Sequence, residues 1–377
     1  MGRLRILHVI QNLNYGGMER LLADLVVRAD PERFELHVLV LQYLGRFSRE
    51  LEGRAVLHVS PPLPKWSLLF PRSLARQITA IAPDVVHTHS GVWFKTARAV
   101  RSAGVPRLIH TEHGRGSPDP ASNRLLDGLA SRHTDVVVAV SEALALQLEK
   151  TVVRGRAVIR VITNGVDTRR FHPMPDTGRI RAELGIPADA PILGSIGRLE
   201  PIKGYDVMLE AFSRLVADPA AAIPPPHLVV AGDGSERSRL ERLAERLGVA
   251  ARVHLLGWRD DVHDLHSAFA LFTMSSRSEG TSVSLLEAMS AGLAPLVTNV
   301  GGNQAVLGPE LAHRLVPSED PDALASAWRR AMADPAGLLT DAGRARGRVE
   351  SAFGVEAMVR SYEALYRNVR PPAPIPD

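Results

Sequence analysis

The chain contains no cysteine. Disulfides, thiolate metal sites and a cysteine nucleophile are therefore excluded, and the composition fits a cytoplasmic protein. Lysine is scarce, at positions 65, 95, 150 and 203 alone. The net charge of +4 and the pI near 9.7 are carried by arginine. A modest cationic excess suits anionic ligands or an acidic membrane surface and does not demand nucleic acid. Aromatic residues are 5% of the chain. They form no aromatic-plus-basic strip of the kind that stacks bases, so nucleic acid is not an expected partner. No apolar run approaches the roughly 18 residues of a membrane span. The apolar run within residues 3–10 is too short for a signal peptide and reads as a strand. Also missing are GxGxxG, a phosphate-binding P-loop and a Gly-x-Ser-x-Gly elbow, which removes the usual dinucleotide, NTPase and hydrolase signatures.

What is present is alternation. The 377 residues suggest two domains of ordinary size. Strands are expected near 4–10, 36–41, 55–59, 85–89, 107–110, 136–140 and 158–162. Helical periodicity lies between them, at 18–29, 71–81, 92–103 and 125–132. Residues 171–191, punctuated by Pro173, Pro175, Pro187 and Pro191, are the linker candidate. A second alternation follows, with strands expected at 192–199, 227–231, 253–255, 270–274 and 294–297. Its helices are expected at 205–217, 236–247, 261–268 and 322–333. Two open, mostly parallel α/β halves result, facing each other across a cleft, with ligands expected at strand carboxyl ends. The tail from Pro371 is expected to be disordered.

Residues 278–292 hold the strongest site pattern. Glu279 and Glu287 stand eight residues apart, with Gly280 and the hydroxyls of Thr281, Ser282 and Ser284 between them. A helix beginning there would aim bare N–H groups and a positive dipole end at an anion, and Gly292 would stop it. The two carboxylates would then grip hydroxyl-bearing groups on either side of a phosphate. A capping box of Ser284 and Glu287, with Glu279 as a solvated loop acid, is the structural alternative. Arg198 and Lys203, five residues apart on a glycine-flanked loop, suit a diphosphate; a solvated pair is the plainer reading. Gly16-Gly17 closes a strand–loop–helix unit and lets backbone approach a ligand, although tight turns are the commoner use. His113 follows a strand and is a candidate for hydrogen bonding to a substrate hydroxyl or for proton transfer, with His87, His89 and His110 as competitors. Residues 260–264, with three aspartates and a histidine, offer no persuasive metal spacing. They read as acids at a helix start.

Gly16-Gly17, Asn164-Gly165-Val166-Asp167, Gly197-Arg198-Leu199 with Lys203-Gly204, Gly232-Asp233-Gly234, and Glu279-Gly280 with Leu286-Glu287-Ala288-Met289 occur in that order. This set resembles the retaining glycosyltransferases of family 4 over nearly the whole chain. The resemblance implies the GT-B fold, two Rossmann-like α/β/α domains, here 1–175 and 176–354, with a helix at 355–369 returning to the first. It implies a nucleoside diphosphate sugar donor, a UDP-sugar favoured, and a glycan or lipid-linked acceptor, with neither metal nor cofactor. Arg198 and Lys203 would bind the diphosphate, Glu279 the sugar hydroxyls and Glu287 the ribose. Backbone from Gly280 through Thr281, Ser282, Val283 and Ser284 would touch phosphate, and Gly257 would lie by the base. Gly16 and Gly17 would approach the phosphates, and His113 the transferred sugar. Thr281-Ser282 stands where many relatives carry an aromatic, and Ala305 where they often carry glutamate; both leave the sugar open. A nucleotide-sugar epimerase and a non-catalytic binding protein are the competing readings. Lys65, Trp66, Leu68, Leu69, Phe70 and Arg72 form a candidate peripheral membrane patch, with core packing as the alternative.

Overall fold

The computed structural model describes residues 2–14, 16–63, 67, 70–116, 119–218 and 224–368. Of the membrane-patch candidates, Lys65, Trp66, Leu68 and Leu69 lie outside these residues, as does the tail. Phe70 is exposed. Among the described residues no helix is long and apolar enough to cross a membrane.

The chain divides into two compact units, residues 1–164 with 355–377 and residues 165–354. The first holds a seven-stranded parallel sheet. Its strands are β1 (Leu4–Ile10), β2 (Phe34–Val40), β3 (Val56–Val59), β4 (Val85–His89), β5 (Leu108–Glu112), β6 (Val136–Ala139) and β7 (Val158–Val161), ordered β3-β2-β1-β4-β5-β6-β7. The second holds six parallel strands: β8 (Ile192–Ile196), β9 (His227–Ala231), β10 (Val253–Leu255), β11 (Leu271–Met274), β12 (Pro295–Thr298) and β13 (Leu315–Val316). Their order is β10-β9-β8-β11-β12-β13. Both are doubly wound, Rossmann-like sheets. Each reverses its strand order once, between β1 and β4 and between β8 and β11, and such switch points are where open α/β sheets leave a ligand crevice.

Residues 165–175 belong with the second unit rather than the first. Val166 N donates to the Phe353 carbonyl at 2.8 Å, and Ser290 Oγ donates to the Phe171 carbonyl at 2.6 Å. Phe171 itself is buried in the core around Phe272 and Leu285. The proline-rich stretch is not a plain linker, because it contains a helix at Arg179–Leu184 between two left-handed glycines, Gly178 and Gly185. The helix Pro335–Ala352 was not expected. Its glycines and small residues blur the apolar stripe, yet Asp334 caps it by accepting from Gly337 N.

In the first unit the last helix, Val355–Asn368, is tied to the sheet by buried polar bonds. Tyr366 OH lies 2.8 Å from His87 Nδ1, and Tyr362 OH lies 3.2 Å from Thr111 Oγ1. Burying unpaired hydroxyls and imidazoles would be costly, so these bonds fix the register of the helix on β4 and β5.

Candidate active site

In the second unit the loops that leave β8, β9, β10 and β11 interlock through backbone. Gly197 N donates to the Ala231 carbonyl at 3.0 Å, Leu199 N to Asp233 at 3.0 Å and Gly232 N to Gly257 at 2.7 Å. A Cβ at Gly232 would run into the Gly197 carbonyl, and one at Gly234 into the Leu199 backbone. These glycines therefore let three loops close on one another.

Lys203 ends a short 3-10 turn that opens with Pro201, and Gly204 (φ +62°) redirects the chain into the helix Tyr205–Ala217. Ser275, following β11, fastens this turn by donating to the carbonyls of Lys203 (3.1 Å) and Gly204 (2.8 Å). The Lys203 ammonium is thereby held beside the next turn. It donates to Glu279 Oε1 at 2.6 Å, and Ser276 Oγ donates to the same oxygen at 2.6 Å. The Glu279 side chain is 8% exposed and that of Lys203 19%. Gly301 backs the glutamate: at φ +54° a Cβ there would overlap the Glu279 carbonyl, and Gly302 N donates to the Gly280 carbonyl at 2.9 Å. Tyr205 packs beneath. Its hydroxyl is 3.4 Å from Ser195 Oγ, and burial, with the Glu279 charge adding to it against that contact, pushes its ionisation far up.

The helix Val283–Ser290 starts at Ser282, whose Oγ accepts from Leu285 N at 3.4 Å. Ser284 lies inside the helix, so the capping box of Ser284 and Glu287 is not formed. Glu287 is the fifth helical residue and half-buried. The helix ends before Gly292 (φ +81°), as expected. Its first N–H groups lack intrahelical partners, which makes this end suited to an anion. Thr281 and Ser282 are buried and Val283 and Ser284 half-buried. Arg198 is exposed, and its guanidinium makes no hydrogen bond or ion pair among the described residues. Gly257 (φ +70°) follows β10 beside the Arg237 guanidinium, which donates to the Leu255 carbonyl at 2.9 Å.

The acids at 260–264 stand at a helix start as expected, Asp261 in the N-cap position and Asp264 in the first turn of the helix Val262–Ala268. Asp261 caps nothing with its side chain; it pairs with Arg259 at 2.6 Å and with Arg179, and Asp264 also pairs with Arg179, at 2.6 Å. Hydrogen bonding to Arg259 holds the Asp261 carboxyl well below the usual range.

In the first unit Gly16 and Gly17 follow β1 and open the helix Gly17–Arg28. The Glu19 carboxylate, itself buried, folds back against Gly16. His113 follows β5. Its backbone N–H donates to Ser90 Oγ at 2.9 Å, its Nε2 lies 3.1 Å from His89 Nδ1, and its Nδ1 is buried without a partner. Burial lowers its pKa to about 4. Its competitors are engaged elsewhere: His87 between Tyr366 and Thr111, His110 stacked on Trp93 and bonded to Thr88. Glu112 is fully engaged too. Ser90 Oγ donates to it at 2.5 Å and Arg115 Nη1 at 2.9 Å. Burial opposes its ionisation, but the neighbouring His110 ring, Arg115 and Ser90 outweigh that and hold it at about 2. Sequence reasoning had no signal for Ser90, Ser275 or Ser276, which are single serines whose roles appear only when loops meet.

A pair of doubly wound α/β units, the second with a cation–carboxylate pair beside a capped helix start, points to the GT-B fold. The family model for "Glycosyl transferases group 1" matches residues 176–346, and that for "Glycosyltransferase Family 4" matches residues 15–170. The chain belongs to glycosyltransferase family 4. It is similar to the D-inositol 3-phosphate glycosyltransferase of Corynebacterium urealyticum, 29% identical over 67% of this chain and 63% of that protein. It is 29% identical to the UDP-Gal:alpha-D-GlcNAc-diphosphoundecaprenol alpha-1,3-galactosyltransferase of Escherichia coli, over 75% of each chain. The alignments thus span about two thirds to three quarters of those relatives. In fold it is similar to Anabaena HepE, solved in complex with UDP and glucose, with a TM-score of 0.83 at 22% identity over 97% of this chain and 100% of that one.

Proposed function

We propose that this chain is a retaining glycosyltransferase that moves a hexosyl or N-acetylhexosaminyl unit from a nucleoside diphosphate sugar, UDP favoured, to a glycan or lipid-linked acceptor in polysaccharide or glycoconjugate biosynthesis. The observation that carries the reading is the Lys203–Glu279 pair beside the helix start at Ser282. A cation and a helix N-terminus supply positive potential for a diphosphate, and a carboxylate next to them accepts hydrogen bonds from sugar hydroxyls. The names of the relatives support a nucleotide sugar as donor and a phosphorylated polyol or lipid-linked glycan as acceptor.

Lys203 and Arg198 bind the diphosphate and stabilise it as it leaves. Glu279 holds the sugar and Glu287 the ribose, the backbone of residues 280–284 meets phosphate, and Gly257 lies by the base. Gly16 and Gly17 approach the phosphates, and His113 contacts a sugar hydroxyl. The bond from the anomeric carbon to the diphosphate oxygen breaks. The acceptor oxygen bonds to that carbon on the same face, and its proton passes to the departing phosphate. The charges named take the part a metal plays elsewhere. The reaction is expected on the cytoplasmic side, with a peripheral membrane contact where the acceptor is lipid-linked.

A thermal-shift panel of UDP, GDP and ADP, then of their sugars, tests the donor. Incubation of the responding sugar with candidate acceptors and mass spectrometry tests transfer. Stabilisation by a nucleotide and a glycosylated product are expected. An isomerised donor with no transfer would support the epimerase reading instead, and no response to any nucleotide sugar would overturn the proposal.

A further inference from the structure

The second unit holds a cleft of about 360 Å³ that the donor residues do not line. It lies between Leu296 of β12, Arg314 just before β13, and the helices Pro321–Met332 and Pro335–Ala352. β12 and β13 pair in parallel with Val297 opposite Leu315, so Leu296 and Arg314 stand side by side at the amino end of the two strands. The ligand crevice of an open α/β sheet belongs at the carboxyl ends, so this cleft is a separate feature of the unit. Its volume is in the range that holds a small molecule.

The lining is cationic. Arg314, Arg330 and Arg344 face the cleft, against Asp334 and Asp341. Both carboxylates are already engaged. Asp334 Oδ1 accepts from Gly337 N at 2.9 Å and so caps the helix Pro335–Ala352. Asp341 is buried. Its Oδ2 accepts from Arg314 Nε at 2.7 Å and lies 2.7 Å from His313 Nε2, and its Oδ1 accepts from Arg344 Nη1 at 3.1 Å. Burial opposes its ionisation, but the bonds from Arg314 and His313 outweigh that and hold its pKa below the usual range. An ion-pair network around Asp341 is enough to pin the turn before β13 to the helix.

The arginines offer more than that network uses. The Arg314 side chain is 9% exposed. Beyond Nε it makes no hydrogen bond among the described residues, and its terminal amino groups open into the cleft instead of being sealed in the core. A guanidinium this deeply buried is costly to leave without an acceptor. Arg330 makes no hydrogen bond or ion pair among the described residues, and it reaches the same space from the helix Pro321–Met332. Three arginines against two aspartates leave the lining with a net positive charge.

We propose that this cleft is a second anion site, which takes a small phosphate-bearing molecule of about hexose phosphate size and holds its phosphate between Arg314 and Arg330. A guanidinium presents two parallel N–H groups to a pair of oxygens. A tetrahedral phosphate can meet two such forks from different sides at once, whereas a carboxylate has one edge to share. The site stands on its own residues and does not depend on the transferase reading.

Calorimetric titration of the full chain with glucose 6-phosphate reads the site. Saturable binding is expected, with inorganic phosphate competing. Affinity should fall roughly tenfold or more in Arg330→Ala, the value of one charge-assisted contact, and should stay as in the wild type in Arg198→Ala. Arg330 is exposed, so its variant should keep a native melt. Arg314→Gln should abolish binding, and if that variant does not fold, Arg330→Ala alone decides. Undiminished affinity in Arg330→Ala overturns the proposal, since the sugar phosphate then sits elsewhere, as at the candidate donor site. No binding at millimolar ligand overturns it as well. Citrate, an anion of carboxylates only, separates the two chemistries: binding of citrate without binding of glucose 6-phosphate overturns the phosphate assignment. Absence of transferase activity would sink the function proposed above and leave this measurement intact.

Discussion

Lys203 Nζ donates to Glu279 Oε1 over 2.6 Å, joining two residues 76 positions apart in the chain. Each neutralises the other in the ligand-free protein, and Ser276 holds the same carboxylate oxygen. Under the proposed roles, donor binding would share these groups between the pair and the ligand, which would tie sugar recognition to phosphate recognition.

Replacing the carboxylate with its neutral isostere isolates that link. Glu279→Gln should keep a native circular-dichroism spectrum and a cooperative melt while turnover falls by about 10²–10³, as for loss of a preorganised electrostatic contact. Turnover within a few-fold of wild type would count against the assigned role.

Arg198 presents the opposite case. It is exposed and makes no ion pair among the described residues, so Arg198→Ala should alter unfolding free energy by no more than about 0.5 kcal/mol. Its affinity for UDP, read by calorimetry, should drop by roughly tenfold or more, the value of one charge-assisted contact. Unchanged affinity would place the guanidinium outside the diphosphate site.

Gly301→Ala should cost more than about 1 kcal/mol, because φ is +54° and the new methyl would overlap the Glu279 carbonyl. Gly343→Ala is the control. It lies inside a helix with nothing within 4 Å of the added carbon, and should stabilise by roughly 0.5–1 kcal/mol. Urea unfolding of both variants checks the contrast, and equal effects would refute it.

Stability should fall on mild acidification. His8 and His266 are buried and neutral in the fold, each with a pKa lowered by burial to about 3 from an ordinary 6.5. Below 6.5 the unfolded chain takes up protons that the folded chain refuses. Each residue then costs roughly 1.4 kcal/mol per pH unit until its folded pKa is reached. Urea midpoints measured between about pH 7 and pH 5 should decline, and the decline should be shallower in His266→Leu. A flat profile in the wild type would contradict this.

Much of this molecule is legible in its sequence because parallel strands buried on both faces leave near-continuous apolar runs, such as Val85-Val86 and Leu228-Val229-Val230. Glycines then mark where each loop begins. The helix after Ser282 and its stop before Gly292 were readable from hydroxyls and periodicity. Pairing across distance was not. No local pattern ties Lys203 to Glu279, or Gly301 to the carbonyl behind it. The helix Pro335–Ala352 escaped because Gly337, Gly343 and Gly347 interrupt its apolar stripe. Which hydroxyl caps the helix stayed open in the sequence because Thr281, Ser282 and Ser284 offer the same chemistry, and only the backbone decides for Ser282. The histidines at 87, 89, 110 and 113 looked interchangeable until burial and partners separated them.

The bond between His87 and Tyr366 spans 279 residues. A ribosome adding about 5–20 residues per second needs roughly a quarter of a minute to a minute to cover that distance. Throughout that interval the nascent first unit waits with its central imidazoles uncapped, while the whole of residues 165–354 is made and is free to fold. Birth order and completion order are thus inverted. The half that emerges first is finished last, and a premature stop after Gly354 but before Tyr362 leaves it, rather than its successor, unfinished.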